Sequence, residues 1–233
     1  LALARLEGNL LNDLLEVPRD DHLAPGTRGK RLLVGDADAR LGGPVDLQAD
    51  QDQPLEHVAL IAEDDQADPK VGTTVAQKLV DAKVAGIVGH LNSGTTIPAS
   101  AIYNQAGIPV ITGSATNPKL TEQGFKVVFR TVGRDDQQGP AIASYLAETK
   151  KPKLVAVIDD ATAYGEGLAN EVEKTLKGAN IKVLPREKGT DKTTDWKAVL
   201  TKVKGKSADA VFYGGMDATG GPLLKQAREL KMT

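Results

Sequence analysis

The amino-acid sequence predicts an α/β fold, with strands and helices alternating to build two doubly wound parallel-sheet lobes around a ligand cleft. Three observations predict it. From residue 58 onward, short apolar runs alternate with segments of helical period. Glycines such as Gly107 and Gly178 fall where those helical segments end. The helical segments are long enough to serve as crossovers, and strands joined by such crossovers lie parallel with a right-handed connection.

The elements follow in order. VALIA (58–62) reads as a strand, followed by the acidic loop EDDQADP (63–69) and a helix over 72–83 with Val75, Leu79 and Val80 on one face. AGIVG (85–89) is the next strand, and TTIPASAIYNQAG (95–107) a helix closed by its glycine. IPVIT (108–112) and VVFRTV (127–132) are strands, 138–149 is helical, and KLVAVID (153–159) is a strongly apolar strand. A helix over 165–178, a strand IKVLP (181–185), a helix over 194–204, a strand DAVFYG (209–214) and a helix over 220–231 complete the series.

The helix–strand series starts afresh after Gly133-Arg134-Asp135-Asp136, which divides the chain into a partial first lobe (58–133) and a partial second lobe (134–233). In folds of this class ligands bind beyond the carboxyl ends of the strands, which places a cleft between the lobes. Residues 1–57 form an atypical N-terminal segment. It contains PRDDHLAPGTRGKR (18–31) and DLQADQDQPLEH (46–57), and only RLLVGDAD (31–38) offers a strand. At the start, leucines at 3, 6, 10, 11, 14 and 15 have helical spacing interrupted by charge, so no signal peptide is visible.

Composition narrows the function. A formal charge of −2 with dispersed basic residues gives no attraction to nucleic acid or to an anionic membrane. The absence of cysteine excludes disulfides, thiolate metal sites and cysteine nucleophiles. His22, His57 and His90 lack metal-ligand spacing, so no metal or cofactor is expected. Ser93 is not in a nucleophile elbow, because position 91 is leucine rather than glycine. The acidic pairs Asp64-Asp65, Asp135-Asp136 and Asp159-Asp160 read as solvated loop and helix-start acids. No catalytic residue is expected, and a Rossmann-type enzyme is disfavoured by the missing glycine fingerprint.

Four loops after strand ends carry the candidate chemistry. HLNSGTT (90–96) offers Asn92 or Ser93 as a helix cap with free amides beyond, an arrangement suited to an anion or to plain capping. GSATNP (113–118) offers the Ser114 and Thr116 hydroxyls among small residues. DDATAYGEG (159–167) places Tyr164 between a strand end and a helix start. YGGMDATGGP (213–222) is glycine-rich, but matches no phosphate-binding pattern.

In this order and spacing, AEDDQADP, GHLNSGTTIPAS, SATNPKLT, FRTVGRDDQQGP, IDDATAYGEGLA and FYGGMDATGGP resemble the branched-chain amino-acid-binding (leucine-binding) family. These are type I periplasmic solute-binding proteins of ABC transporters, and the resemblance runs from about residue 58 to the C-terminus. It implies two α/β lobes that trap a free aliphatic amino acid for delivery to a membrane permease. It also implies a periplasmic location and a monomer. On the matching positions, Ser93, Ser114, Ala115 and Thr116 would hold the ligand carboxylate, Tyr164 would sit near its amino group, and Met216 beside its side chain. Met216 stands where relatives often carry tyrosine. The family begins with a βα unit that residues 1–57 do not resemble, and continues past the equivalent of Thr233 to supply an acidic partner for the ligand ammonium. A truncated copy with a frame-shifted or falsely started N-terminus is therefore expected. An amino-acid-sensing domain of the same fold and a non-functional fragment are the alternative readings.

Overall fold

The computed structural model describes residues 31–34, as a backbone strand, and residues 59–232. The remaining readings for residues 1–57 lie outside the described residues. Along the chain run β1 (Arg31–Val34), β2 (Ala59–Leu60), α1 (Pro69–Asp81), β3 (Gly86–Val88), α2 (Ser93–Ala106), β4 (Val110–Thr112), α3 (Lys119–Glu122) and β5 (Val128–Arg130). After them come α4 (Asp135–Tyr145), β6 (Leu154–Asp159), α5 (Ala163–Gly178), β7 (Lys182–Val183), β8 (Glu187–Lys188), α6 (Lys197–Gly205), β9 (Ala210–Gly214) and α7 (Asp217–Glu229).

Two sheets result, and every ladder in them is parallel. The first has the order β2-β1-β3-β4-β5, so RLLV enters between β2 and β3 with Leu32 opposite both Leu60 and Gly86. In the second, β6 is central, with β9 along one side and β7 and β8 in succession along the other. The strand expected over 181–185 is broken at Pro185, which has no N–H to give to the ladder. Pairing resumes at Glu187, opposite Ile158.

Period-two alternation sorts the core. Val155 and Val157 face α4 and α5 with Leu168, Val172 and Leu176, whereas Ala156 and Ile158 face α6 and α7 with Trp196, Leu200 and Leu223. The second sheet is therefore covered on both faces, as a parallel sheet requires. In the first sheet Val110, Val128 and Ile87 pack on α1, α2 and α3. Its other face shows Ile111 and Phe129, paired across β4 and β5 and 38% and 51% exposed.

Three helices start earlier than predicted. The expected starts at 95, 138 and 220 put Pro98, Pro140 and Pro222 in a first turn, where proline costs no hydrogen bond. Instead α2, α4 and α7 begin at Ser93, Asp135 and Asp217, and each carries its proline at the sixth position. The carbonyls of Gly94, Asp136 and Ala218, four residues before each proline, thus have no helical donor. The gain is that all three helices reach back to the strand ends where the candidate loops lie.

Thr162 caps α5, accepting from the Gly165 amide at 2.9 Å while its hydroxyl donates to Asp160 Oδ1 at 2.7 Å. Thr162→Ala removes both bonds, and a loss of about 1–2 kcal/mol is expected in urea unfolding. Thr162→Ser should restore most of it.

Candidate functional site

The candidate site residues sit at the carboxyl ends of both sheets. Ser93 opens α2 and is buried, and its Oγ accepts from the Asn117 amide at 3.2 Å. That bond leaves the hydroxyl proton free to donate. Asn92 stands at the N-cap without capping through its side chain, and its Oδ1 is buried without a partner. The helix start carries the partial positive charge of its first-turn amides.

Ala115 is buried and Ser114 half-buried. Their amides are not open donors. Both point at Thr112 Oγ1, at 3.1 and 3.2 Å, and Thr112 donates in turn to the His90 carbonyl at 2.7 Å. A carboxylate arriving there would share those amides with the Thr112 oxygen. The Thr116 hydroxyl, by contrast, is buried and unpartnered.

Tyr164 is the second residue of α5 and half-buried against the second core. Burial raises its phenol above the ordinary value, helped by the negative charges of Asp135 and Asp160. Asp160 ties the two loops of this half together, because its Oδ1 accepts from Thr162 and its Oδ2 accepts from the Met216 amide at 3.1 Å. Met216 is thereby fixed at the N-cap of α7. No hydrogen bond among the described residues joins Met216 to Ser93, Ser114 or Thr116.

The two halves meet at Asn117. Its Nδ2 donates to the Ala163 carbonyl at 2.7 Å, next to Tyr164. Gly167 lies against this junction, since a Cβ there would come within 2.6 Å of Asn117 Nδ2 and 3.8 Å of Asp135 Oδ2. Ser93, Thr116 and Tyr164 are thus gathered around Asn117 and Asp135.

Asp135 is the residue the sequence reading missed. Its neighbour Asp136 is half-buried at the helix start and paired with Arg134 at 2.6 Å. Asp135 itself is fully buried at the start of α4, its amide bonded to the Thr116 carbonyl, and neither carboxyl oxygen has a hydrogen-bond partner. Burial pushes its carboxyl above the usual carboxylate range, against the opposing influence of the Thr116 hydroxyl and the Arg130 guanidinium. Asp65, Asp159 and Asp160 are buried as well, so the expectation that the three acidic pairs are solvated fails for one member or more of each. The signal was present in FRTVGRDDQQGP, one of the segments that carry the family resemblance. Among the described residues no cluster of three or more histidine or acidic side chains could hold a metal ion.

The Ser93 and Thr116 hydroxyls and the Asp135 carboxyl thus lie close together at the strand ends, neutral donors beside a buried acid. Residues 56–233 match the periplasmic binding protein family. The chain belongs to that family. It is one of solute-binding proteins, not of enzymes. An amino acid binding protein of Pseudomonas aeruginosa is 41% identical over 179 residues, covering 76% of this chain and 48% of that protein. The leucine-, isoleucine-, valine-, threonine-, and alanine-binding protein of the same organism is 42% identical, covering 71% of this chain and 44% of its own. Among solved structures, the branched-chain amino acid transporter substrate binding protein LivJ from Streptococcus pneumoniae, in complex with isoleucine, is 30% identical with a TM-score of 0.69. It is covered to 51% by 76% of this chain. The type I periplasmic binding protein fold and the resemblance to leucine-binding proteins therefore hold, and this chain spans about half the length of the relatives it matches.

Proposed function

We propose that this periplasmic binding protein captures a free amino acid of the branched-chain, aliphatic class between two lobes, residues 58–133 and 134–233, and delivers it to the permease of an ABC transporter. The observation that carries the reading is the gathering of the Ser93 and Thr116 hydroxyls about the buried carboxyl of Asp135, beside Tyr164. An amino acid zwitterion needs both. Its carboxylate takes the Ser93 and Thr116 hydroxyls and the amide end of the 114–116 loop. Neutral donors at a helix start hold an anion without a buried cation. Its ammonium takes Asp135, with Tyr164 alongside. The family resemblance implies an acidic partner beyond Thr233, and on the present reading Asp135 serves within this chain. Met216 and the aliphatic surroundings take the side chain, the thioether adapting to its shape. Binding makes and breaks no bond, and its consequence is closure of one lobe on the other. The location is the periplasm and the working unit a monomer.

Thermal unfolding with a panel of amino acids tests this reading. Leucine, isoleucine or valine at 100 times its dissociation constant is expected to add about 2.7 kcal/mol, a shift of several degrees. Shifts with acidic or basic amino acids but none with aliphatic ones would overturn the ligand class. A cooperative transition that no amino acid moves would overturn the reading altogether.

A further inference from the structure

Beneath the loops that carry Ser93 and Ser114 lies a chain of three buried polar side chains that ligand contact does not require. Asp65 follows β2, His90 follows β3 and Tyr103 lies in the last turn but one of α2; they are 1%, 3% and 0% exposed. His90 Nδ1 is 2.6 Å from Asp65 Oδ2, and Nε2 is 2.9 Å from Tyr103 Oη. Burial by itself would raise the Asp65 carboxyl, but bonds from His90 and from the Ala67 amide outweigh it and hold the group below its ordinary value. Asp65 is thus an ionised acceptor, and His90 Nδ1 is the donor. In the neutral ring Nε2 then accepts the Tyr103 proton. The imidazole is gripped at both nitrogens and stacked on the Tyr103 ring, 5.9 Å between centroids.

A carboxylate, an imidazole and a phenol in a core are costly to desolvate, and apolar side chains would fill the same space without that penalty. What the polar chain adds is orientation. The carbonyl of His90 accepts from Thr112 Oγ1 at 2.7 Å and from Thr96 Oγ1 at 3.3 Å. Thr112 Oγ1 in turn receives the Ser114 and Ala115 amides. One carbonyl therefore sets the relation between the start of α2 and the 114–116 loop, the two segments that supply the hydroxyl and amide donors.

We propose that Asp65, His90 and Tyr103 are positioning residues: by clamping the His90 ring they fix its carbonyl and, through Thr112, hold the backbone of the 114–116 loop in register with the start of α2, where the ligand carboxylate is read. The inference rests on the amino-acid-binding reading. It makes a demand that packing alone does not, namely that disturbing the chain damages recognition of the ligand carboxylate selectively.

The test compares leucine with leucinamide, which keeps the ammonium and side chain but lacks the carboxylate, by calorimetry on the wild-type protein and on Tyr103→Phe, Asp65→Asn and Asp65→Leu. The wild-type protein is expected to prefer leucine. Tyr103→Phe and Asp65→Leu should narrow that preference by roughly tenfold, as loss of an orienting outer-shell partner does for metal ligands, with leucinamide affinity unchanged. Asp65→Asn, which keeps an acceptor for His90, should recover part of it. If both variants lower the melting temperature but leave the preference intact, the chain is packing and the proposal fails. If the wild-type protein binds neither compound, the amino-acid reading fails, and amide hydrogen exchange at Ser114 and Ala115 decides the remainder. Faster exchange there in Tyr103→Phe supports the positioning link, and unchanged exchange refutes it.

Discussion

Asp135→Asn is expected to weaken amino-acid binding and stabilise the empty protein at once. The carboxyl is fully buried with both oxygens unpartnered, so in the empty protein its ionised form is a liability. A neutral amide in its place removes the buried charge but remains a buried polar group, so a modest gain in stability is expected at neutral pH. The ligand ammonium loses its counter-charge in the same step. Removing one partner of a buried charge pair costs about 2–5 kcal/mol, which corresponds to a roughly 30- to several-thousand-fold weaker dissociation constant. Titration calorimetry with leucine and thermal unfolding without it measure the two halves separately. Unchanged leucine affinity would remove Asp135 from the site.

The pH dependence has a definite sign. Burial raises the Asp135 carboxyl above its unfolded value, so across the window between the two the native state binds more protons than the unfolded state. This group's contribution to stability therefore falls as pH rises from the ordinary carboxylate range through the raised folded value. Asp135→Asn should abolish that component. Asp65, held below its ordinary value, works the other way and loses its contribution as pH falls through the lowered folded value.

The second large effect concerns Trp196. Its ring is fully buried, its Nε1 donates to the Thr219 carbonyl at 3.0 Å, and it meets Tyr213 edge-on at 5.6 Å. Its own amide donates to Gln226 Oε1 at 2.6 Å. Thr219 bonds back to the Met216 carbonyl, so the indole fastens the start of α7 where Met216 stands. Trp196→Ala is expected to cost about 3–5 kcal/mol, from the cavity and from the carbonyl left without its donor. Circular dichroism during urea unfolding would register this as a lower midpoint. Trp196→Phe, which fills most of the space but cannot donate, should fall between. A loss under about 1 kcal/mol would mean that the site collapses around the missing ring.

The order of strands and helices was legible because period and punctuation agree along residues 58–233. Boundaries were not, where long-range contacts override a local rule. Pro98, Pro140 and Pro222 mark first turns by local preference, yet their helices begin earlier because the strand ends need them there. Pro185 ended a strand correctly, but nothing local showed that pairing resumes at Glu187. It does so where Arg186 reaches Asn170, Glu173 and the buried Asp159. In the candidate site, the places of Ser93, Thr116 and Tyr164 after strand ends were legible from the sequence. Asp135 was not, because Asp135 and Asp136 are chemically identical neighbours and only tertiary packing, α5 at Gly167 included, tells them apart. The Thr112 bonds to Ser114 and Ala115 were invisible for a similar reason. They depend on a carbonyl more than twenty residues earlier in the chain.

The junction at Asn117 bears on how fast such a protein can load. Among the described residues, the side-chain bonds that run from before Gly133 to after it are Asn117 to Ala163 and the exposed pair of Arg134 with Glu122. Each is worth about 1 kcal/mol or less, barely more than thermal agitation. On the proposed reading, these bonds and the backbone bond from Asp135 to Thr116 would be what an arriving solute meets between the two halves. Capture would then be governed by encounter, and residence time by the grip that the solute itself completes.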